Sequence, residues 1–132
     1  MAIAASLKIE GTIYDTVISV DYQFSQAIDI TGRPSDRPRG GIINITIPSP
    51  DNDNLFFHNW MREREAIHDG EIIFSVNRLG NISDKTMKFS DAYCIGLEEH
   101  FDRTDSDMMT LQLTLSAGSI TFGDKCEFKL ID

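Results

Sequence analysis

The alternation of apolar and polar residues is the strongest constraint on how this chain can fold. Every second residue is isoleucine in residues 43–47, and every second residue is leucine in residues 111–115. Successive side chains of a strand point to opposite faces of a sheet, so both runs predict strands with one buried face. Similar runs recur along the chain at the spacing of about 8–12 residues that is typical of sandwiches and small barrels. We predict a mainly β protein: an antiparallel β-barrel or sandwich with one short α-helix and a long extended loop.

The first two alternating runs lie close together in the sequence. Residues 6–14 carry apolar side chains at alternate positions, and residues 18–24 repeat the pattern. Only a short polar segment around Asp15 and Thr16 separates the two runs. We therefore expect them to pair with each other as a hairpin.

One segment has helical rather than strand-like spacing. Residues 51–54 offer several polar N-cap candidates, and apolar residues follow at roughly helical intervals. We predict a helix of about fifteen residues that ends at Asp69-Gly70, because glycine commonly terminates helices. The residues expected to form the structural core of this helix are Phe56, Trp60 and Met61.

Residues 26–41, here named the arm, connect two predicted strands but are much longer than a hairpin turn, which usually takes about 2–5 residues. The arm is stiffened by Pro34 and Pro38, is poor in apolar residues, and carries three of the 12 Lys and Arg residues of the chain. Glycines allow the reversals that a stiff segment needs at its ends. The alternative to a contact with a partner is that the arm is a solvated loop with scattered arginines. We expect the arm to contact another subunit or ring through Thr31, Gly32, Arg33, Pro34, Arg37, Arg39, Gly40 and Gly41.

Length and charge exclude several functional classes. The 132 residues suit one domain, residues 1–132, and the net charge of −9 argues against a nucleic-acid partner, which is held mainly by Lys and Arg. No apolar run approaches the roughly 18 residues of a membrane span, and the N-terminus lacks the basic region of a signal peptide. We expect Cys94 and Cys126 to be buried small hydrophobic residues rather than a disulfide.

No catalytic or metal-binding pattern is complete. Asp51-Asn52-Asp53 resembles the start of a calcium loop, but Leu55 stands where a third ligand belongs. The three histidines lack zinc spacing, and Cys94 with His100 would form a nucleophile–base pair only if the fold brought them together. We expect no enzyme activity, no catalytic residues, no cofactor and no metal.

A family resemblance rests on several segments together. They are Thr31-Gly32-Arg33-Pro34, Arg39-Gly40-Gly41 entering a strand, Trp60-Met61 on a short helix, Phe89 to Tyr93, and Leu115-Ser116-Ala117. The chain resembles the Hcp (TssD) tube proteins of bacterial type VI secretion systems over essentially its whole length, and it is most similar to the variety found in Bacteroidetes.

The resemblance implies a structural protein. It would form hexameric rings that stack into a hollow tube inside a contractile sheath, with a spike at the tip and effectors in the lumen. The protein would be cytoplasmic before firing and extracellular afterwards, with no nucleic-acid or membrane partner. The arginines of the arm could then meet acidic residues of a neighbour, for instance Glu98, Glu99 and Asp102, and strand edges could pair across subunits. Two alternatives stay open: the tail tube of a related phage-like or extracellular contractile particle, and a monomeric adaptor β-barrel.

Overall fold

Nine strands and one helix make up the part of the chain that the computed structural model describes, residues 4–26, 28–34, 39–104, 109–123 and 125–130. In chain order they are β1 (Ala4–Ile9), β2 (Thr12–Tyr14), β3 (Ser19–Ser25), β4 (Arg39–Pro48), α1 (Phe56–Arg62), β5 (His68–Arg78), β6 (Asn81–His100), β7 (Thr110–Ser116), β8 (Ser119–Phe122) and β9 (Cys126–Lys129).

The strands form a single antiparallel sheet. Their order is β2-β1-β5-β6-β7-β4-β3, with β8 paired to β6 and β9 paired to β8. The sheet is not closed by strand pairing between its end strands β2 and β3. Two backbone hydrogen bonds, Val17 N–H to Ala5 O and Ile18 N–H to Thr46 O, join the β2–β3 connection to β1 and to β4. The predicted fold class is confirmed: the described chain is mainly β and antiparallel, has one short helix, and its sheet is not a fully closed barrel.

The long strand β6 holds the two halves of the sheet together. It bends at Asp91, whose φ is +53°, so that its first half pairs with β5 and β8 while its second half pairs with β7. Residues from both halves contribute to one apolar core. The alternate residues of 43–47 and 111–115 that were predicted to point inward are at most 1% exposed.

The predicted pairing of the first two runs is wrong. Residues 6–14 are not one strand, because the chain turns at Glu10 and Gly11, both with positive φ, and β1 pairs with β2. The other edge of β1 pairs with β5, whereas β3 pairs with β4. Two consecutive residues with positive φ suit the tight turn of a right-handed twisted hairpin, so the glycine that looked like part of a strand ends it.

The helix exists but is shorter than predicted. It spans seven residues, Phe56–Arg62, and Glu63 already has extended backbone angles. The following residues fold back, since Ala66 N–H donates to Glu63 O at 3.0 Å and the indole of Trp60 donates to Ala66 O at 3.2 Å. Asp69-Gly70 therefore lies inside β5 instead of ending a helix, because pairing with β1 and β6 outweighs local helix propensity.

Candidate assembly surface

The arm extends the hairpin formed by β3 and β4. Its root is held by the pairs Phe24–Gly40 and Ser25–Arg39, and the two strands continue side by side from there. Arg39 and Gly40 are thus part of β4 by backbone position, while Arg37 lies outside the described residues. The arm therefore starts from a fixed place on the sheet.

A small hydrogen-bonded turn forms the tip of the arm. Ile28 and Pro34 make an isolated antiparallel bridge, and Asp29 N–H donates to Arg33 O at 2.8 Å. One carboxylate oxygen of Asp29 accepts hydrogen bonds from Thr31 N–H at 2.8 Å, Thr31 Oγ1 at 2.6 Å and Arg33 N–H at 3.1 Å. These bonds, with that from the Thr31 hydroxyl as the largest cause, lower the pKa of Asp29. The tip has a defined conformation before it meets any partner.

This preformed tip exposes apolar as well as basic residues. Ile28 is 67% exposed and Ile30 is fully exposed, and the site residues from Thr31 to Pro34 are exposed too. The arm was predicted to be poor in apolar residues, and that prediction did not take the exposed Ile30 into account. Asp29-Ile30-Thr31-Gly32 is the signal that could have identified the turn, because Asp and Gly are typical turn residues.

The root of the arm is tightly packed at Gly41. This residue is buried, has a φ of +84°, and its carbonyl accepts a hydrogen bond from Ala117 N–H at 2.8 Å. A Cβ placed there would lie 2.7 Å from Leu130 Cδ1 and 2.8 Å from Ala117 O. Gly41 thus meets both requirements that only glycine satisfies at once, a left-handed backbone and a close approach.

We expect Asp29→Ala to loosen the tip without lowering the melting temperature, because the tip packs against none of the buried core. Amide hydrogen exchange at Thr31 and Arg33 should speed up.

In the parent, the lowered pKa of Asp29 means that the turn is fully stabilised above the pKa of an unfolded aspartate and loses this contribution as pH falls through the lowered value. Amide NMR shifts of Thr31 should follow that titration. In Asp29→Asn, which keeps the acceptor oxygen, they should not titrate at acidic pH, and a titration there would contradict this assignment.

The helix residues named from the sequence have different environments. Trp60 is 2% exposed and Phe56 is partly buried, with their ring centroids 5.8 Å apart. Phe57, one position after Phe56, is 1% exposed. Met61, expected in the same core, is instead 40% exposed, because its position lies about 100° around the helix from Trp60. Its sulfur is 3.9 Å from Cys94 Sγ.

A polar group of three residues attaches the helix to the sheet. Glu99 Oε1 lies 2.8 Å from His58 Nε2, and Glu99 Oε2 accepts a hydrogen bond from Ser49 Oγ at 2.5 Å. These hydrogen bonds, that from Ser49 first, lower the pKa of Glu99. The serine contacts the glutamate rather than the histidine, so this is not the serine–histidine arrangement that activates a nucleophile. Glu99 is thus occupied within its own chain.

The two cysteines also have different surroundings. Cys94 is buried, as expected, and burial raises the pKa of its thiol, which disfavours the thiolate. Its polar contacts are with Met61 and Gly96 O. Cys126 is exposed on β9, contrary to expectation, because this short strand covers little of the core. Within the described residues, no cluster of three His, Cys, Asp or Glu side chains could hold a metal ion.

The single helix in the described residues lacks the length and the apolar character that a membrane crossing requires.

Comparison with known proteins identifies the family. The sequence model of "Hemolysin coregulated protein Hcp (TssD)" matches residues 1–129. No curated protein sequence matches the chain. Among solved structures, Hcp1 from Flavobacterium johnsoniae is 30% identical with a TM-score of 0.78, and the alignment covers 96% of this chain and 98% of that one.

More distant structures share the fold. Hcp1 from E. coli EAEC 042 is 12% identical with a TM-score of 0.69, over 96% of this chain and 97% of that one. A chain of an extracellular contractile injection system, the PVC sheath–tube complex, is 16% identical with a TM-score of 0.55, over 90% of this chain and 87% of that one. The predicted resemblance is confirmed. This chain belongs to the Hcp (TssD) family, which consists of structural tube proteins and not of enzymes.

Proposed function

We propose that residues 1–132 act as one tube domain that forms hexameric rings, and that these rings stack into the inner tube of a type VI secretion system. A contractile sheath would expel the tube, a spike protein would cap it, and secreted effectors would travel in its lumen. Neither nucleic acid nor membrane is a partner in this proposal. The protein would be made in the cytoplasm and would leave the cell through the injection apparatus.

The preformed tip of the arm is the observation that carries the proposal. Its turn is held by the Asp29 carboxylate, and it exposes Ile30 and Arg33. Ordering a loop costs free energy on binding, and a loop that is already ordered avoids much of that cost. A fully exposed isoleucine on such a tip stabilises nothing in its own chain. Both features favour contact with another subunit or ring.

Strand edges offer a second means of assembly. Within the described part of the chain, β2 pairs with β1 alone, β3 with β4 alone and β9 with β8 alone. A strand with a free edge presents backbone donors and acceptors that can extend a sheet into another chain. Pairing of such edges around a ring would join neighbouring sheets.

A second candidate is the tube of an extracellular contractile injection particle. The fold that this chain shares with a chain of the PVC sheath–tube complex favours it. Both candidates require rings and tubes, so the genes that lie beside this one would decide between a type VI secretion system and an extracellular particle. The monomeric adaptor has no such requirement and is separated from both by particle size.

Charge reversal in the arm tests the role of its arginines. We expect Arg33→Glu combined with Arg39→Glu to abolish or sharply reduce rings and tubes in negative-stain micrographs, because glutamate facing an acidic neighbour replaces attraction by repulsion. The melting temperature should change little, because Arg33 is exposed and the core residues lie elsewhere.

The matched control is Arg103→Glu with Lys8→Glu, which makes the same change of net charge at two exposed positions that lie outside the arm and outside the strands with a free edge. This control should assemble like the parent. If the arm variant forms as many rings as the parent, or if the control loses them equally, the arginines of the arm have no specific role in assembly.

A further inference from the structure

An apolar groove lies where β6 bends away from its first half. It has a volume of about 320 Å³ and is lined by Ile67, Asp91, Tyr93 and residues 116–118. Ile67 and Tyr93 are each 45% exposed, so both present substantial apolar surface to the outside. Residues 116–118 include alanine and glycine, which leave the groove open to a side chain from another molecule.

The groove also carries an available negative charge. Asp91 is exposed, and its carboxylate makes no hydrogen bond or ion pair with any other residue that the structure describes. A second carboxylate is close by, because Asp69 Oδ1 accepts a hydrogen bond from the backbone N–H of Asp91 at 2.9 Å. Two neighbouring carboxylates favour a cationic partner.

The tip of the arm matches the groove in both respects. Ile30 is fully exposed, and Arg33 is exposed without an ion pair among the described residues. We propose that the groove is the receptor for the arm tip of a second copy of this chain, with Ile30 seated against Ile67 and Tyr93 and with Arg33 facing Asp91. This inference rests on the proposed self-assembly and specifies the surface that receives the arm.

The contact must be between molecules. In each chain the groove lies beside the root of the arm, since Ile42 pairs with Ser116 and Gly41 O accepts a hydrogen bond from Ala117 N–H. Ile30 at the tip is fully exposed, so the tip is not seated in the groove of its own chain. Arm and groove are two different surfaces, so their contact is heterologous, and heterologous contacts produce closed rings or open stacks.

This receptor differs from the acidic residues near the end of β6 that the sequence suggested. Glu99 is bonded to His58 and Ser49, and the carboxylate of Asp102 accepts hydrogen bonds from Thr104. Both carboxylates are therefore already engaged within their own chain. The Asp91 carboxylate has no such partner among the described residues and is flanked by apolar surface.

Disulfide trapping between two variants, each with one introduced cysteine and the buried native Cys94, tests the inference. Ile30→Cys protein is mixed with Tyr93→Cys protein, both carrying Cys126→Ser to remove the exposed native thiol, and the mixture is oxidised mildly. We expect a covalent heterodimer that combines the two variants, identified by mass. Leu79→Cys protein is the matched control for Ile30→Cys, because Leu79 is also a fully exposed apolar residue in a turn but belongs to the β5–β6 hairpin. It should give little heterodimer.

Trapping and microscopy together separate this inference from the proposed function. Rings without the 30–93 disulfide, or equal trapping by the Leu79 control, would overturn the receptor while leaving ring formation intact. The disulfide without rings would support the receptor and contradict the tube.

Asp91→Asn, which suits the positive φ at this position, should weaken assembly by about two- to five-fold per contact, the effect expected from losing an exposed ion pair. An unchanged assembly midpoint in Asp91→Asn would remove Asp91 from the contact.

Discussion

Replacing Trp60 by alanine is expected to lower the free energy of unfolding by about 3–5 kcal/mol, the usual cost of removing a large buried aromatic side chain. The indole is 2% exposed, and its ring centroid lies 5.8 Å from that of Phe56 and 4.9 Å from that of His68. Its N–H also donates to Ala66 O, so the substitution removes a hydrogen bond as well as packing. Urea denaturation followed by circular dichroism measures the change.

Met61→Ala is the matched control for Trp60→Ala. It lies on the same short helix but is 40% exposed, so its truncation should cost clearly less. If Trp60→Ala keeps the midpoint of the parent, or if Met61→Ala is equally damaging, the helix is not anchored by its indole.

The second large effect is expected at the root of the arm. Gly41→Ala places a methyl group against Leu130 and the Ala117 carbonyl and forces a left-handed backbone on alanine. Overpacking costs about 1–3 kcal/mol and the backbone about 1–2 kcal/mol, so we expect a loss of about 2–5 kcal/mol. Assembly should fail as well, because the start of β4 supports the arm.

Gly32→Ala separates these two causes. Gly32 has a similar φ of +88°, but a Cβ there would meet nothing within 4 Å. Only the cost of the backbone, about 1–2 kcal/mol, should then remain, and it should act on the tip rather than on the core. Equal losses for the two variants in thermal melting would show that crowding at Gly41 is unimportant.

The sequence predicted those parts of the fold in which local pattern and final burial agree. In β4 and β7 the alternating isoleucines and leucines are the buried residues, because each strand presents one face to the core. Pairing was harder to predict, since Glu10-Gly11 and Asp15-Thr16 are both plausible turns in the sequence. The length of α1 was overestimated because Arg62 to Glu65 favour helix locally, whereas Ala66 and His68 are held by Trp60 and by the β5 pairing.

The arm could be recognised from its length, prolines and arginines, but its contact chemistry could not. The role of Asp29 depends on the three hydrogen bonds that its carboxylate accepts, which only the folded turn brings together. The groove around Tyr93 is formed by residues that are distant in sequence, Ile67 and residues 116–118. Such a surface follows from which strands pair and in which register, and the local pattern of a single segment does not reveal its distant partner.

Native mass spectrometry of the purified protein tests self-assembly most directly. We expect a closed oligomer with a mass about six times the 14.9 kDa of the protomer, accompanied by stacked rings at higher concentration. Arg33→Glu with Arg39→Glu should shift this population toward the protomer, whereas Arg103→Glu with Lys8→Glu should not. A parent protein that stays at 14.9 kDa throughout the micromolar range would contradict the proposed self-assembly.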